Sequence, residues 1–401
     1  MRILFVGHSF LSADNQTKFV TMKQLDHELR LQLVVPTKIQ ERFGPQTHEI
    51  HPALGAEEVV PLKAWPSNWH MTYVHSPRRM AAVLRAFRPD IVHIVEEPQA
   101  WITVETIALQ RRFAPNAAMT LFTWDNLLRR RGFPLNTVKG RLRAYSLART
   151  EMVVCGNQRA AELLRAEGRF RGSIEIIPQF GLDAATHHPG CEPELRRQLG
   201  LDDSVVIGYA GRLVPEKGLR VLIDALGRLK SHPWKLLLVG AGPLESEIRQ
   251  RWMMGFPGRI ALVPLVPSEE VPRYLRCADI FVLPSQSTPT WQEQFGLSLT
   301  QGMMLGLPCI GSTSGAIPEV LGPGGEIFEE KSAEELAGKL EGLLNHPAKR
   351  EHFGALGREF ALRNYTMEAV AGRYLAVFGR ARSRGPATKE VSRKPLELLS
   401  P

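Results

Sequence analysis

Short runs that are apolar throughout, each followed by a turn and then by a helical pattern, recur along the whole chain. They fall at Ile3 to Val6, Leu31 to Val35, Ile91 to Val95, Met119 to Phe122, Met152 to Cys155 and Ile174 to Ile177. The series resumes at Val205 to Tyr209, Leu236 to Val239, Ile260 to Val263, Ile280 to Leu283 and Cys309 to Ile310. Runs without polar alternation suit strands buried on both faces, and their alternation with helices such as Leu219 to Lys230 predicts parallel sheets. The expected fold class is α/β, twice over. Between the two series, His187, His188, Pro189, Gly190 and Pro193 interrupt the periodicity. The chain therefore divides into a domain over 1–186, a linker over 187–203 and a second domain over 204–364. A helical pattern over 365–379 closes the far end, and 380–401, dense in Arg, Lys, Ser and Pro, reads as a flexible basic tail. Two open α/β sheets joined in this way leave a cleft at their carboxyl ends, where such folds bind ligands.

The chain has 401 residues, 44% hydrophobic and 23% charged, enough for two full cores and unlike a disulfide mini-protein, a collagen or a disordered tail. A net charge of +9 favours anionic partners: nucleic acid, an acidic membrane surface or a phosphorylated substrate. Cys155, Cys191, Cys277 and Cys309 form no CxxC pair, so they read as small buried residues in a reducing compartment. No apolar stretch reaches the roughly 18 residues of a membrane span, and the first strand is too short for a signal peptide, so a cytoplasmic location is expected. Arg129, Arg130, Arg131, Lys139, Arg141, Arg143 and Arg149 occur in a stretch without one acidic residue. This is either a solvated face or a dock for a lipid-phosphate acceptor or the anionic inner leaflet, which would make the protein peripheral to the membrane. No zinc finger or RNA-recognition motif accompanies the charge, so nucleic acid is not an expected partner.

Two places carry candidate chemistry. The strand ending Gly208-Tyr209-Ala210 runs into Gly211-Arg212-Leu213-Val214-Pro215-Glu216-Lys217-Gly218 and then an amphipathic helix. A planar fork and a point charge beside a helix start suit a diphosphate, while the plainer alternative is a turn with solvated charges. Trp291-Gln292-Glu293-Gln294-Phe295-Gly296-Leu297-Ser298 precedes a second helix. There Glu293 either reaches sugar hydroxyls or merely caps the helix, and the amides of Gly296, Leu297 and Ser298 face an anion. Gly240-Ala241-Gly242 lacks the third glycine of a dinucleotide fingerprint, its place being held by Glu245, which argues against a nicotinamide enzyme. Glu96 and Glu97 end a strand on the cleft edge and read as acceptor contacts or as a solvated pair. His93 reads as a packed strand residue, and His187 with His188 lack a third ligand, so no metal site is expected.

Taken together these residues resemble a known family. Gly211-Arg212-Leu213 with Glu216-Lys217-Gly218, Val239-Gly240-Ala241-Gly242-Pro243, Ala278-Asp279-Ile280-Phe281-Val282-Leu283-Pro284-Ser285, Glu293-Gln294-Phe295-Gly296-Leu297, Gly306-Leu307-Pro308 and Gly315-Ala316-Ile317-Pro318-Glu319-Val320 follow the order and spacing of the donor half of family 4 glycosyltransferases. Arg88-Pro89-Asp90-Ile91-Val92-His93 and Ile177-Pro178-Gln179-Phe180-Gly181-Leu182-Asp183 look like landmarks of the other half.

The resemblance implies a GT-B architecture of two facing Rossmann-like domains, with a final helix crossing back to the first. It implies a retaining, metal-independent, hexosyltransferase-like enzyme without a cofactor, using a UDP- or GDP-sugar and a glycan or lipid-linked acceptor in glycan or envelope polysaccharide assembly. In these terms Arg212, Lys217 and Glu293 are the catalytic residues, and Gly211, Phe295, Gly296, Leu297, Ser298 and Gln301 bind the donor. Gln301 stands where the family usually has a second Glu, on the ribose. Gly7-His8-Ser9-Phe10 replaces a glycine pair, and Phe122-Thr123-Trp124-Asp125-Asn126 lacks a cleft His, so acceptor orientation falls to Glu96, Glu97 or Asp125. The rival readings are a non-catalytic GT-B partner subunit and a GT-B nucleotide-sugar epimerase.

Overall fold

The computed structural model describes residues 1–41, 44–66, 69, 71–127, 135–168, 170–202 and 204–384. The first half holds β1 (Arg2–Val6), β2 (Arg30–Pro36), β3 (Lys38–Glu41), β4 (Gly44–Thr47), β5 (Val59–Leu62), β6 (Ile91–Ile94), β7 (Ala118–Thr123), β8 (Met152–Cys155) and β9 (Ser173–Ile176). The second holds β10 (Val205–Ala210), β11 (Trp234–Val239), β12 (Ile260–Val263), β13 (Ile280–Leu283), β14 (Cys309–Ser312) and β15 (Gly325–Phe328). They form a seven-stranded sheet, β5-β2-β1-β6-β7-β8-β9, and a six-stranded sheet, β12-β11-β10-β13-β14-β15. Every pairing within these two sheets is parallel, whereas the β3–β4 hairpin is antiparallel. Two separate cores result, one around Phe5, Leu33, Ile94 and Leu121, the other around Ile207, Leu237, Phe281 and Ile310.

In both sheets the strand order reverses beside the first strand of its domain, between β1 and β6 and between β10 and β13. Helical crossovers leave these two positions in opposite directions, so each opens a crevice at the carboxyl ends of its strands. The last helix, Met367–Arg384, returns to the first domain and buries Val370, Tyr374 and Phe378 in its core. Lys18 joins these parts: its fully buried ammonium donates to the Gln179 carbonyl at 2.8 Å and lies 4.3 Å from the Tyr374 ring centre. Burial lowers its pKa to about 7.

Four differences from the sequence-based expectation have physical reasons. The strands β5 and β15 are short edge strands, one carrying Pro61 and the other half polar, and so lack the apolar run that marks a central strand. Pro193 starts a helix, Pro193–Gln198, inside the expected linker, because a first-turn proline forfeits no hydrogen bond. The last helix runs on to Arg384, five residues into the expected tail, while 385–401 lie outside the described residues. Cys155, Cys277 and Cys309 are buried, whereas Cys191 is exposed.

Candidate active site

The residues expected to hold the donor gather at the β10/β13 reversal. After β10, the Tyr209 hydroxyl donates to the Arg212 carbonyl at 2.7 Å, and the Leu213 amide donates to Ala241 at 2.9 Å. The Gly240-Ala241-Gly242 turn thus supports the Arg212 loop rather than a dinucleotide. The Gly211 amide is already given to the Val239 carbonyl at 2.9 Å and so is not available to a ligand. One turn of 3₁₀ helix, Pro215–Lys217, ends at Gly218, which also opens the helix Leu219–Arg228.

Lys217 and Glu293 meet directly. Glu293 Oε2 accepts from Lys217 Nζ at 2.5 Å and from Ser285 Oγ at 2.8 Å, with the two charged side chains only 13% and 8% exposed. Lys217 Nζ also lies 5.2 Å from the Trp291 ring centre. Arg212 is looser, with Nη1 4.0 Å from Glu216 Oε1, and keeps its fork near solvent. Gly296 begins the helix Leu297–Met304, in which Leu299 is the first residue to donate back, to Gly296 at 2.8 Å. The amides of Leu297 and Ser298 therefore stand at the open end of a helix, where an anion is stabilised. The structure brings Arg212, Lys217, Glu293 and this helix end to one reversal point, and adds Ser285, the last residue of the Ala278–Ser285 run, which was not among the expected site residues. Among the described residues no three His, Cys, Asp or Glu side chains converge as a cation would require.

Gln301 is buried on the same helix, its Nε2 3.3 Å from His187 Nε2. His187 Nδ1 lies 3.0 Å from the Asp183 carbonyl, which assigns its proton to Nδ1 and leaves Nε2 to accept from the Gln301 amide. Burial lowers the His187 pKa, keeping the ring neutral. This linker histidine therefore orients the Gln301 amide, so that Oε1 is the atom able to accept from a ribose hydroxyl. Gln301→Glu should tighten nucleoside diphosphate binding by about 1 kcal/mol, since a carboxylate is the stronger acceptor. Titration calorimetry checks this, and weaker binding would contradict a ribose role for Gln301.

The residues expected on the acceptor side lie on the loops after β6 and β7. Glu97 accepts from Thr123 Oγ1 at 2.5 Å and from the Trp124 amide at 3.1 Å. Burial, and then the charge of Asp125, push its carboxyl up to about 7. Glu97 thus holds the β7 loop, while Asp125 is half-buried on that loop. Glu96 corrects the sequence reading most clearly: its side chain is only 2% exposed and turned onto His8 and Tyr73, out of reach of an acceptor. The two domains touch here. Asn126 Nδ2 donates to the Glu293 carbonyl at 3.1 Å, Asn157 Nδ2 donates to the Gln294 carbonyl at 2.9 Å, and the Trp124 and Phe295 rings lie 6.2 Å apart. Neither asparagine was legible in the sequence, because each partner lies more than a hundred residues away.

The basic stretch is less free than its composition suggested. Arg143 donates to Glu167 at 2.8 Å and to Gln99 at 3.2 Å, and Arg149 stacks on Tyr145. Arg141 is exposed. Arg129, Arg130 and Arg131 lie outside the described residues.

Comparison with known proteins bears on this geometry directly. Residues 22–179 match the glycosyl transferase 4-like domain, and residues 192–360 match the glycosyl transferases group 1 family. The chain is a family 4 glycosyltransferase. The glycosyltransferase is 25% identical over 328 residues to spore coat protein SA of Bacillus subtilis, covering 76% of this chain and 81% of that one. It is 28% identical over 239 residues to a GDP-mannose-dependent phosphatidylinositol monomannoside mannosyltransferase of Mycolicibacterium smegmatis, covering 55% and 62% of the two chains. Among solved structures, Anabaena HepE in complex with UDP aligns with a TM-score of 0.72 at 16% identity, over 95% of this chain and 100% of that chain. The lipopolysaccharide outer core galactosyltransferase WaaB aligns at 0.67 and 16%, over 95% and 100%. At such identity the likeness concerns the fold, which is GT-B. No described helix is long and apolar enough to cross a membrane.

Proposed function

We propose that the glycosyltransferase transfers a hexose, with retention and without a metal, from a UDP- or GDP-sugar to a hydroxyl of a glycan or lipid-linked acceptor. The biological setting in this reading is cytoplasmic assembly of a glycan or envelope polysaccharide. The observation that carries it is the Lys217–Glu293 pair beside Arg212 and the open helix end at Leu297 and Ser298. A departing nucleoside diphosphate gathers negative charge, and fixed cations with oriented amides stabilise that charge without a metal ion. Lys217 is poised to divide its three donors between the diphosphate and Glu293, which leaves Glu293 to hold sugar hydroxyls. Arg212 meets the same phosphates with its planar fork. Attachment to an anionic membrane surface rests on Arg141 together with the neighbouring basic stretch, and salt-sensitive flotation with anionic vesicles tests it.

Incubation with a panel of UDP-, GDP- and ADP-sugars tests the whole reading without a known acceptor, because water can replace the acceptor hydroxyl. Release of nucleoside diphosphate and free sugar, unchanged by EDTA, is expected from at least one donor. Binding without release favours the non-catalytic partner subunit, and no binding overturns both.

A further inference from the structure

Three of the chain's seven tryptophans stand largely in solvent: Trp65 is 66% exposed, Trp69 55% and Trp101 45%. The other four are buried or half-buried. The exposed three belong to one surface, because the backbone ties their segments together. The Trp65 amide donates to the Val74 carbonyl at 3.0 Å and the Val74 amide donates back to the Trp65 carbonyl at 2.7 Å, closing a loop that contains Trp69. The Trp101 amide donates to the Met71 carbonyl of this loop at 3.2 Å. The His75 amide donates at 2.8 Å to Glu105, one turn further along the helix Trp101–Phe113. Tyr73 and His75 are buried, so the loop is anchored while its indoles stay in solvent.

The charge in this part of the chain is of one sign. Residues 59–89 contain no Asp or Glu, and Lys63, Arg78 and Arg79 are exposed within them. The carboxylates closest in sequence to Trp101, those of Glu97 and Glu105, belong to half-buried residues and are already bonded, to Thr123 Oγ1 and to the His75 amide. The helix Trp101–Phe113 packs against both Pro77–Phe87 and Leu135–Leu147, and the latter carries the exposed Val138 and Arg141. The loop follows β5 and Trp101 follows β6, so in this parallel sheet the tryptophans stand at its carboxyl edge, the edge that also holds Glu97 and Asp125. Clustered apolar surface of this kind marks a docking site. Indoles flanked by Lys and Arg fit the boundary of an anionic bilayer, where the ring lies at headgroup depth and the cations meet the lipid phosphates.

We propose that Trp65 and Trp101, flanked by Lys63, Arg78 and Arg79, are the anchor by which the glycosyltransferase sits in an anionic membrane surface. This rests on the membrane attachment proposed above and gives it an apolar component on a different segment of the chain. The cations draw the protein to the surface, and the indoles hold it there at salt concentrations that screen the cations. The anchor turns the carboxyl edge of the first sheet, with the loops after β6 and β7, toward the lipid. The acceptor class that suits this placement is a lipid-linked one, presented at the same surface.

Flotation of the full-length protein with vesicles of phosphatidylcholine, alone or mixed with phosphatidylglycerol, tests this at low and high salt. The parent should float with the anionic vesicles, and its tryptophan emission should shift to the blue and be quenched by brominated acyl chains. The double variant Trp65→Ala, Trp101→Ala should lose about tenfold in vesicle affinity at low salt, lose most of the quenching and no longer float at high salt. Its Tm and its affinity for UDP or GDP should match the parent, because both side chains are exposed. The double variant Arg78→Glu, Arg79→Glu should weaken binding at low salt, where the cations are unscreened. Parent-like affinity and quenching in the tryptophan variant would overturn the anchor and leave attachment through the basic stretch standing. No binding to anionic vesicles at low salt would overturn both. Emission that answers soluble oligosaccharides but not vesicles would overturn the anchor in favour of a platform for sugar rings.

Discussion

Lys217→Ala will weaken nucleoside diphosphate binding more than Arg212→Ala, although both remove one cation. Arg212 sits near solvent, and its loss should remove one charge-assisted interaction of about 1.5 to 3 kcal/mol, or roughly ten to a hundredfold in affinity. Lys217 is hydrogen-bonded to Glu293 in a nearly closed site. Removing it leaves a buried carboxylate without its counter-charge, a change of about 3 to 5 kcal/mol, and aims that carboxylate at the incoming phosphate. A loss of roughly a hundred to a few thousandfold is expected. Glu293→Gln introduced into the Lys217→Ala variant should recover about tenfold of the affinity by removing the unpaired charge, while sugar release stays low for want of Glu293. Calorimetry with UDP and GDP decides the matter. Equal losses in the two single variants, with no recovery in the double, would show that Lys217 and Glu293 act independently.

Gly218→Ala should damage the donor domain out of proportion to its size. Gly218 has φ +71°, and a Cβ there would lie 1.7 Å from the Pro284 carbonyl oxygen, a backbone atom that cannot turn aside. The strain of that φ for an L residue and the displacement of the Pro284 segment together cost on the order of 3 kcal/mol. For a domain of this size Tm falls by roughly 5 to 10 °C. Lys217 precedes this glycine and Ser285 follows Pro284, so nucleotide affinity should fall as well. Gly227→Ala, in the helix that Gly218 opens, is the control. Its Cβ would meet only Phe256 Cζ, at 3.7 Å, and it should leave Tm unchanged or raise it slightly. Calorimetric Tm values in which Gly218→Ala matches Gly227→Ala would contradict this reading of the turn.

What the sequence made legible follows from how local each feature is. The central strands were readable because burial on both faces leaves runs such as Ile280–Leu283 wholly apolar. The donor turn was readable because Gly211, Arg212, Lys217 and Gly218 lie within eight consecutive residues whose charges and glycines carry their own meaning. The acceptor side was not, because its contacts are made by topology. Glu96 stood out as a charged residue at a strand end, but its partner His8 comes from the neighbouring strand, and so the carboxylate that looked like an acceptor contact is instead a buried support. Arg143 likewise looked like one cation of a solvated face until the fold placed Glu167 beside it. Edge strands and the short helix at Pro193 escaped for a different reason, since proline and polar residues mark both a break and an element's border.

A crystal structure of the protein with UDP or GDP bound is the most direct test of the donor site. The diphosphate is expected between Arg212 and Lys217, within hydrogen-bond distance of the Leu297 and Ser298 amides, with the ribose at Gln301 and no metal ion bridging the phosphates. A nucleotide lying away from the β10/β13 reversal, or one tied to the protein through a divalent cation, would contradict it.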